Sequence, residues 1–467
     1  ITQVPRPSKH EERIVAHIEA WAGEPGLEVK KDTIGNLVVK VPASPGKESA
    51  APVLLQGHLD MVPEKNKDTV HDFMKDPIAV RIEDGWVYAT GTTLGADNGI
   101  GIAAAMAAAV DPDVIHGPLE LLMTLDEETG LTGAKELDPS LIESRTMLNL
   151  DSEEDGVIYV GCAGGADVHI RFQPCTVKPA AGTRPYALEV TGLRGGHSGM
   201  NIIENRGNAL KLLVRTLLAA EKEDVEFELA ALTGGDMHNA IPRESEAILF
   251  LKEEDATALS KVIDKCMADY RVELKGVDDD LAMGLKSTRH DGPVLPTSAQ
   301  IALLAFLDAV PHGVLAMSND LEGLVETSNN LAAVKMEDNR YLILTSCRSS
   351  IMSSMNAVLS TIESIATLAG FEAEVQVGYP GWKPDMNSAV LKVVKKVYTA
   401  IWNREPQVTA IHAGLECGLL GDKIPGIDMV SFGPRMENVH SPQERLHIES
   451  TGRFWEALKQ VLAGLSG

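Results

Sequence analysis

Residues 52–60 read PVLLQGHLD, a short apolar run that stops on a glycine, a histidine and an aspartate. An unbroken apolar run of this length, bounded by turn residues, reads as a strand buried on both faces. The pattern recurs twice. Leu119–Leu125 (LELLMTL) runs into DEETG, and Thr146–Leu150 (TMLNL) runs into DSEED. Helical segments alternate with these strands: Glu11–Gly23 ahead of the strand Asn36–Val41, and the Ala-rich Ile100–Val110. Strands alternating with helices predict an α/β domain whose mostly parallel central sheet is covered by helices. In such sheets sites form outside the carboxyl ends of the strands. The three polar clusters stand where chemistry is expected.

From about Pro185 the texture changes. Tyr186–Val190, Val225–Ala231 and Ala247–Leu251 read as partly exposed strands, with helices at Asn208–Lys222 and Ala256–Lys275. A second set follows: helix Gln300–Val310, strands Val325–Val334 and Tyr341–Cys347, helix Met355–Leu368 and strand Glu372–Val377. This predicts an inserted α+β domain of two similar halves over residues 186–378. The turn-rich GYPGWKP (378–384) marks the return to the first domain. That domain is therefore discontinuous, 1–185 with 379–467, and closes with helix Ser388–Trp402, strand Asp428–Phe432 and helix Ser450–Leu465.

Composition excludes several classes of function. Of the 467 residues, 42 are Lys or Arg and 67 are Asp or Glu, a formal net charge of −25. Phosphate binding needs a basic face, so nucleic acid is not an expected partner. The longest nearly apolar run, Ile100–Val110, is about half of the roughly 20 residues that span a bilayer, so no membrane association is expected. Cys162, Cys175, Cys266, Cys347 and Cys417 are sparse, odd in number and without metal-ligand spacing. A reducing compartment follows, with the cytoplasm as the expected location. The chain begins at Ile1 with no basic-then-apolar leader, which is compatible with loss of an upstream segment.

His58 and Asp60 lie two apart at a strand end, so the carboxylate can hold one ring N–H and leave the other nitrogen for a metal. An ordinary surface pair fits the same spacing. Asp97, in GTTLGADNGIG, precedes a helix and could equally cap it. Glu127 and Glu128 are adjacent acids after an apolar strand, and would repel each other unless a cation or water separates them; a solvated loop is the plain alternative. Asp151 opens DSEED, and His440 sits between Pro434 and Pro442 on a stiffened loop. Together, two imidazoles and several carboxylates without a thiolate suit Zn²⁺, Mn²⁺ or Co²⁺. One acid bridging two ions, with an acid left over as general base, would make a two-metal hydrolase.

The stretches GHLDMVP, GADNG, DEETG and NLDSEE, in that order, resemble the dinuclear zinc peptidases that include carboxypeptidase G, peptidase T and the carnosinases. GGHSG, NAIPRE, YPGWKPDMNS, IHAGLECGL and the closing HSPQERLHIES extend the likeness over nearly the whole chain. The resemblance implies that His58 and Asp151 bind one zinc, that Glu128 and His440 bind the other, and that Asp97 bridges both. Co²⁺ or Mn²⁺ could substitute. It implies Glu127 as general base and Asp60 as the group that orients His58. In the inserted domain it implies that His197 stabilises the oxyanion, that Asn239 and Arg348 contact substrate and its carboxylate, and that Gly414 lines the substrate.

The implied activity is hydrolysis of unblocked dipeptides, Xaa-His types included, by a homodimer. The enlarged insertion agrees with the family's dipeptidase branch. Two other readings share the machinery: an aminoacylase-type amidohydrolase, and an inactive metal- or peptide-binding homologue.

Overall fold

The computed structural model describes residues 1–338 and 340–467. It divides into two compact units, one of Ile1–Cys162, Trp382–Ala410 and Leu415–Gly467, the other of Ala163–Gly381 with Ile411–Gly414.

The first unit is built on an eight-stranded sheet. Its four central strands are, in order, Leu119–Thr124, Val53–His58, Thr146–Asn149 and Asp428–Ser431. These pair in parallel, while Glu28–Lys31 and Leu37–Val41 add antiparallel strands at one edge. The strands Leu119–Thr124 and Val53–His58 are buried at every position, as continuous apolar runs in a parallel sheet should be. All four end on the same side, so their carboxyl ends present one row of loops. The Ala-rich helix, Ala96–Val110, packs against Val53–His58. Gly57 permits this contact, because a Cβ there would collide with the Asn98 side chain.

A smaller four-stranded antiparallel sheet in this unit joins Met436–Glu437, Arg445–His447, Trp86–Ala89 and Val80–Glu83. His440 rides on the loop between its first two strands with a left-handed φ of 62°. Met436 and Leu446 pack with Met61, Leu94 and Ala96 in one apolar cluster. That cluster ties the His440 loop to the loop carrying Asp97.

The second unit is a nine-stranded sheet with helices, and its strand order explains how it is built. Strand 184–191, helix 209–222, strands 228–234 and 245–251, helix 253–273 and strand 282–287 form a βαββαβ half with spatial strand order 4-1-3-2. Strand 164–172, helix 297–309, strands 325–337 and 340–349, helix 352–369 and strand 372–375 form a second half in the mirrored order 2-3-1-4. The halves join edge to edge where Gly234 pairs with Val334. The expected pair of similar halves is thus present, with one inserted inside the other.

The boundary differs from the one read at residue 185/186. Gly164–Phe172 pairs with Arg340–Ser349 and Glu372–Val375, so the second unit starts at Ala163. This strand follows directly on Val157–Cys162 of the first unit, and no change in local texture separates the two.

Candidate active site

In the first unit the strand ends converge. His58 closes Val53–His58, and both His58 and Asp60 are at most 1% exposed, which removes the surface-pair alternative. His58 Nδ1 lies 3.2 Å from Asp60 Oδ1. A carboxylate can only accept there, so the ring proton sits on Nδ1 and Nε2 presents a lone pair. That lone pair faces Asp97 Oδ1 at 3.0 Å and Asp151 Oδ1 at 3.4 Å. His440 Nε2 faces the other Asp97 oxygen, Oδ2, at 3.1 Å and Glu128 Oε2 at 2.9 Å. Asp97 therefore does not cap its helix. Its two oxygens divide between two imidazoles.

Asp60 also organises the neighbouring acids. Its Oδ1 accepts the Glu127 backbone N–H at 3.0 Å and its Oδ2 that of Glu128 at 3.3 Å. The short helix Glu127–Gly130 begins there, after Asp126 in a left-handed conformation. Asp126 takes the Thr129 and Thr132 hydroxyls and so belongs to the turn.

Acceptors converging without hydrogens to share are unstable unless a cation lies among them. Glu128 Oε1 and Asp151 Oδ1 are buried with no hydrogen-bond partner among the described residues. His58, Asp97 and Glu128 place ligand atoms within 4.8 Å of one another. The donors are nitrogen and oxygen only, and the set fits a divalent transition metal or zinc. In the metal-free field protons take that place. Burial pulls His58 down, but Asp151, Asp60 and Asp97 outweigh it and lift its pKa well above the ordinary value. Hydrogen bonds to Asp97 and Glu128 push His440 up to about 11. Burial, reinforced by Asp151, Glu416 and Glu128, holds the Glu127 pKa well above the carboxylate range despite the opposing pull of His58.

Sequence reasoning missed the groups behind these candidate ligands. Glu444 accepts the backbone N–H groups of Leu94 and Gly95 on Oε2, at 2.7 and 3.0 Å, and of Ala96 and Asp97 on Oε1, at 2.8 and 3.4 Å. The buried Arg6 guanidinium donates to the carbonyls of Leu59, Asp60 and Gly95. Burial pushes Glu416 up to about 7 and Glu153 up to about 8. HSPQERLH carried the signal for Glu444 only as one more acid in a polar loop.

In the second unit the structure gathers the other expected residues. His197 lies on a two-residue strand, Gly196–His197, paired with Ala240–Ile241. Asn239 is its neighbour, and its carbonyl accepts the Ser198 N–H at 2.8 Å. Gly195 and Gly196 adopt φ of 63° and 135°, conformations costly for other residues. His197 Nδ1 accepts the N–H groups of Gly199 and Met200, each at 3.1 Å. Its proton therefore sits on Nε2, ready to donate. Burial, then Arg348, lowers its pKa and keeps the ring neutral.

Arg348 is 6% exposed, so it is not a surface ion pair. Its Nη1 donates to the Tyr379 hydroxyl at 3.0 Å and its Nε has no hydrogen-bond partner among the described residues. No carboxylate lies within ion-pair distance of it among the described residues. Gly414 packs on the Tyr379 ring, where a Cβ would come within 2.7 Å of a ring carbon.

Residues 54–463 match peptidase family M20/M25/M40. The cytosol non-specific dipeptidase of Escherichia coli K12 is 43% identical over 99% of this chain and 95% of its own length. The crystal structure of aminoacylhistidine dipeptidase from Vibrio alginolyticus superposes with a TM-score of 0.95 at 41% identity, covering 99% of this chain and 94% of that one. Aminopeptidase PepT from Bacillus cereus shares the fold, with a TM-score of 0.57 at 18% identity over 100% of this chain and 96% of its own. Matched to the family over residues 54–463 and to a full-length relative at 43% identity, the chain belongs to peptidase family M20/M25/M40.

Proposed function

We propose that this protein is a metal-dependent dipeptidase that hydrolyses unblocked dipeptides, Xaa-His types among them. The observation that carries the mechanism is the division of the Asp97 oxygens between two imidazoles, each with a further carboxylate. His58, Asp97 and Asp151 would hold one cation and Asp97, Glu128 and His440 the other, with zinc as the expected metal and Co²⁺ or Mn²⁺ as substitutes. Bound there, the cations supply Lewis acidity and bring the pKa of water toward neutrality. The names of the two similar dipeptidases support the substrate class.

Every other step belongs to the chain. Glu127 takes a proton from the attacking water and returns it to the nitrogen of the departing amine, one group acting as base and then acid. Its raised pKa suits that shuttle. Asp60 holds the His58 tautomer and positions Glu127 and Glu128 through their backbone N–H groups. The His197 Nε2–H donates to the oxyanion as charge develops. Arg348 binds the C-terminal carboxylate of the substrate, which supplies the anion that its buried guanidinium lacks. Asn239 and Gly414 contact the peptide beside them. By the same likeness we place the protein in the cytoplasm as a homodimer, which light scattering checks: a one-chain mass would remove the dimer. No helix among the described residues is long and apolar enough to cross a membrane.

The test is hydrolysis of Ala-His, β-Ala-His, Gly-Gly, a tripeptide and N-acetyl-alanine by chelated and by zinc-, cobalt- or manganese-loaded protein. Metal-dependent cleavage of the free dipeptides is expected. Cleavage confined to N-acetyl-alanine would move the assignment to an acylase, and silence with metal bound would leave a binding protein.

A further inference from the structure

We propose that Glu416 is a positioning residue for the metal ligands, acting through a buried hydrogen-bond ladder that crosses the four central strands of the first unit. The proposal rests on the metal-site reading above and goes beyond it, since none of the ladder residues is a ligand or touches substrate in that reading.

The ladder lies one pleat below the ligands. Gln56 stands opposite Asn149, and Asn149 opposite Ser431, in the registers of the neighbouring parallel strands. His58 follows Gln56 by two residues and Asp151 follows Asn149 by two. Thr124 closes the fourth strand opposite His58. Gln56, Thr124, Asn149, Ser431 and Glu416 are all at most 1% exposed. A row of aliphatic side chains here would bury as much surface without desolvating a carboxylate and two amides. Stability alone does not account for it.

The bonds have one direction. Gln56 Nε2 donates to Glu416 Oε2 at 2.6 Å, and the Thr124 hydroxyl donates to the same oxygen at 2.7 Å. The Asn149 amide N–H donates to Gln56 Oε1, and the Ser431 hydroxyl to Asn149 Oδ1. With its proton so committed, Ser431 accepts from Ser152 Oγ at 2.6 Å. Every donor points toward Glu416, an arrangement in which each bond polarises the next. The ladder also grips a ligand directly, because the Asp151 backbone N–H donates to Asn149 Oδ1 at 3.3 Å. Glu416 Oε1 is buried and takes no hydrogen bond from the described residues, so the Glu416 carboxylate is anchored on the ladder side. The ladder thus sets the spacing of the strand ends that carry His58 and Asp151, and Glu416 sets the direction in which its amides face.

The experiment is a double-variant cycle of Glu416→Gln and Ser431→Ala, residues at opposite ends of the ladder with Gln56 and Asn149 between them. Readouts are Zn²⁺ affinity by chelator competition, kcat and KM on Ala-His, and thermal melting. Each single variant is expected to fold, to lose about tenfold in metal affinity and in kcat, the lower end for groups supporting a metal ligand, and to keep its KM. The double variant should be no worse than the weaker single one, and Ser431→Thr, which keeps the hydroxyl, should restore both properties. If Glu416→Gln does not fold, Thr124→Val, which removes one donor to Glu416, takes its place. Losses that multiply in the double variant, or wild-type metal affinity and kcat in the single ones, would overturn the ladder. Failure of the unaltered protein to bind zinc or cleave Ala-His would instead count against the dipeptidase reading.

Discussion

The residue groups of the two units are incomplete in opposite senses. In the first, imidazole lone pairs and carboxylate oxygens converge with too few protons among them. In the second, a neutral imidazole presents an N–H and a buried guanidinium has no acid beside it among the described residues. In the proposed function the first group takes cations and the second an anion. The supports differ too. In the first, His58, Glu128 and Asp151 stand at or just past the ends of parallel strands, Asp97 in the first turn of a helix and His440 on a loop of the small antiparallel sheet. In the second, His197 and Asn239 stand on or beside a two-residue antiparallel strand pair and Gly414 on a loop, with glycine conformations and backbone donors around them, while Arg348 stands near the end of the strand Arg340–Ser349. A hydrolase for small charged peptides needs both, and each half of the comparison can be tested alone.

Glu127→Gln gives the largest expected effect. It should lower kcat on the order of 10²–10⁴-fold, the usual range for a general acid–base, with two metals still retained by atomic absorption. A rate within tenfold of the original would remove Glu127 as base. Arg348→Met tests the other unit. Truncating one partner of a buried charged pair commonly costs about 2–5 kcal/mol, so kcat/KM should fall by about 30-fold to a few thousand-fold, mainly through KM. A C-terminally amidated dipeptide should show a similar deficit with the unaltered enzyme. Discrimination that survives in the variant would place carboxylate recognition elsewhere.

Glu444→Gln probes how the Asp97 loop is held. Turning a carboxylate into an amide among four backbone N–H groups should cost about 1–3 kcal/mol, read by denaturant unfolding, and weaken metal binding. An unchanged unfolding midpoint would show that the loop holds itself. The metal-free protein should also show a pH dependence. Burial raises Asp151 to about 6, Glu416 to about 7 and Glu153 to about 8. Groups raised above their unfolded values contribute stability at low pH and lose it as pH rises through the folded values. Metal-free protein should therefore lose Tm between about pH 4 and 8, and the Tm gained on adding zinc should grow over the same interval. A gain independent of pH would contradict the acceptor-rich reading of the first unit.

Much of this was legible in the order of residues. Buried parallel strands must be apolar throughout, so the abrupt polar clusters after PVLLQ, LELLMTL and TMLNL marked both the sheet and its active edge. The inserted unit's pair of halves was legible from its repeated strands and helices. Its first strand, Gly164–Phe172, was not, because a strand's partners lie elsewhere in the chain and local texture does not reveal which sheet it joins.

Residue identity and local periodicity determined which groups could bind metal, which segments would be strands, and that the chain carries hydrolytic machinery. The tertiary structure decided what those groups do for one another. It gave each Asp97 oxygen a different imidazole across separations of 39 and 343 residues, put the proton of His197 on Nε2, and left Arg348 without an acid. It also brought Arg6, Glu444 and Glu416 into place behind the candidate ligands. Hydrogen bonds and Coulomb forces act over a few ångströms, and only folding brings such distant residues within that range.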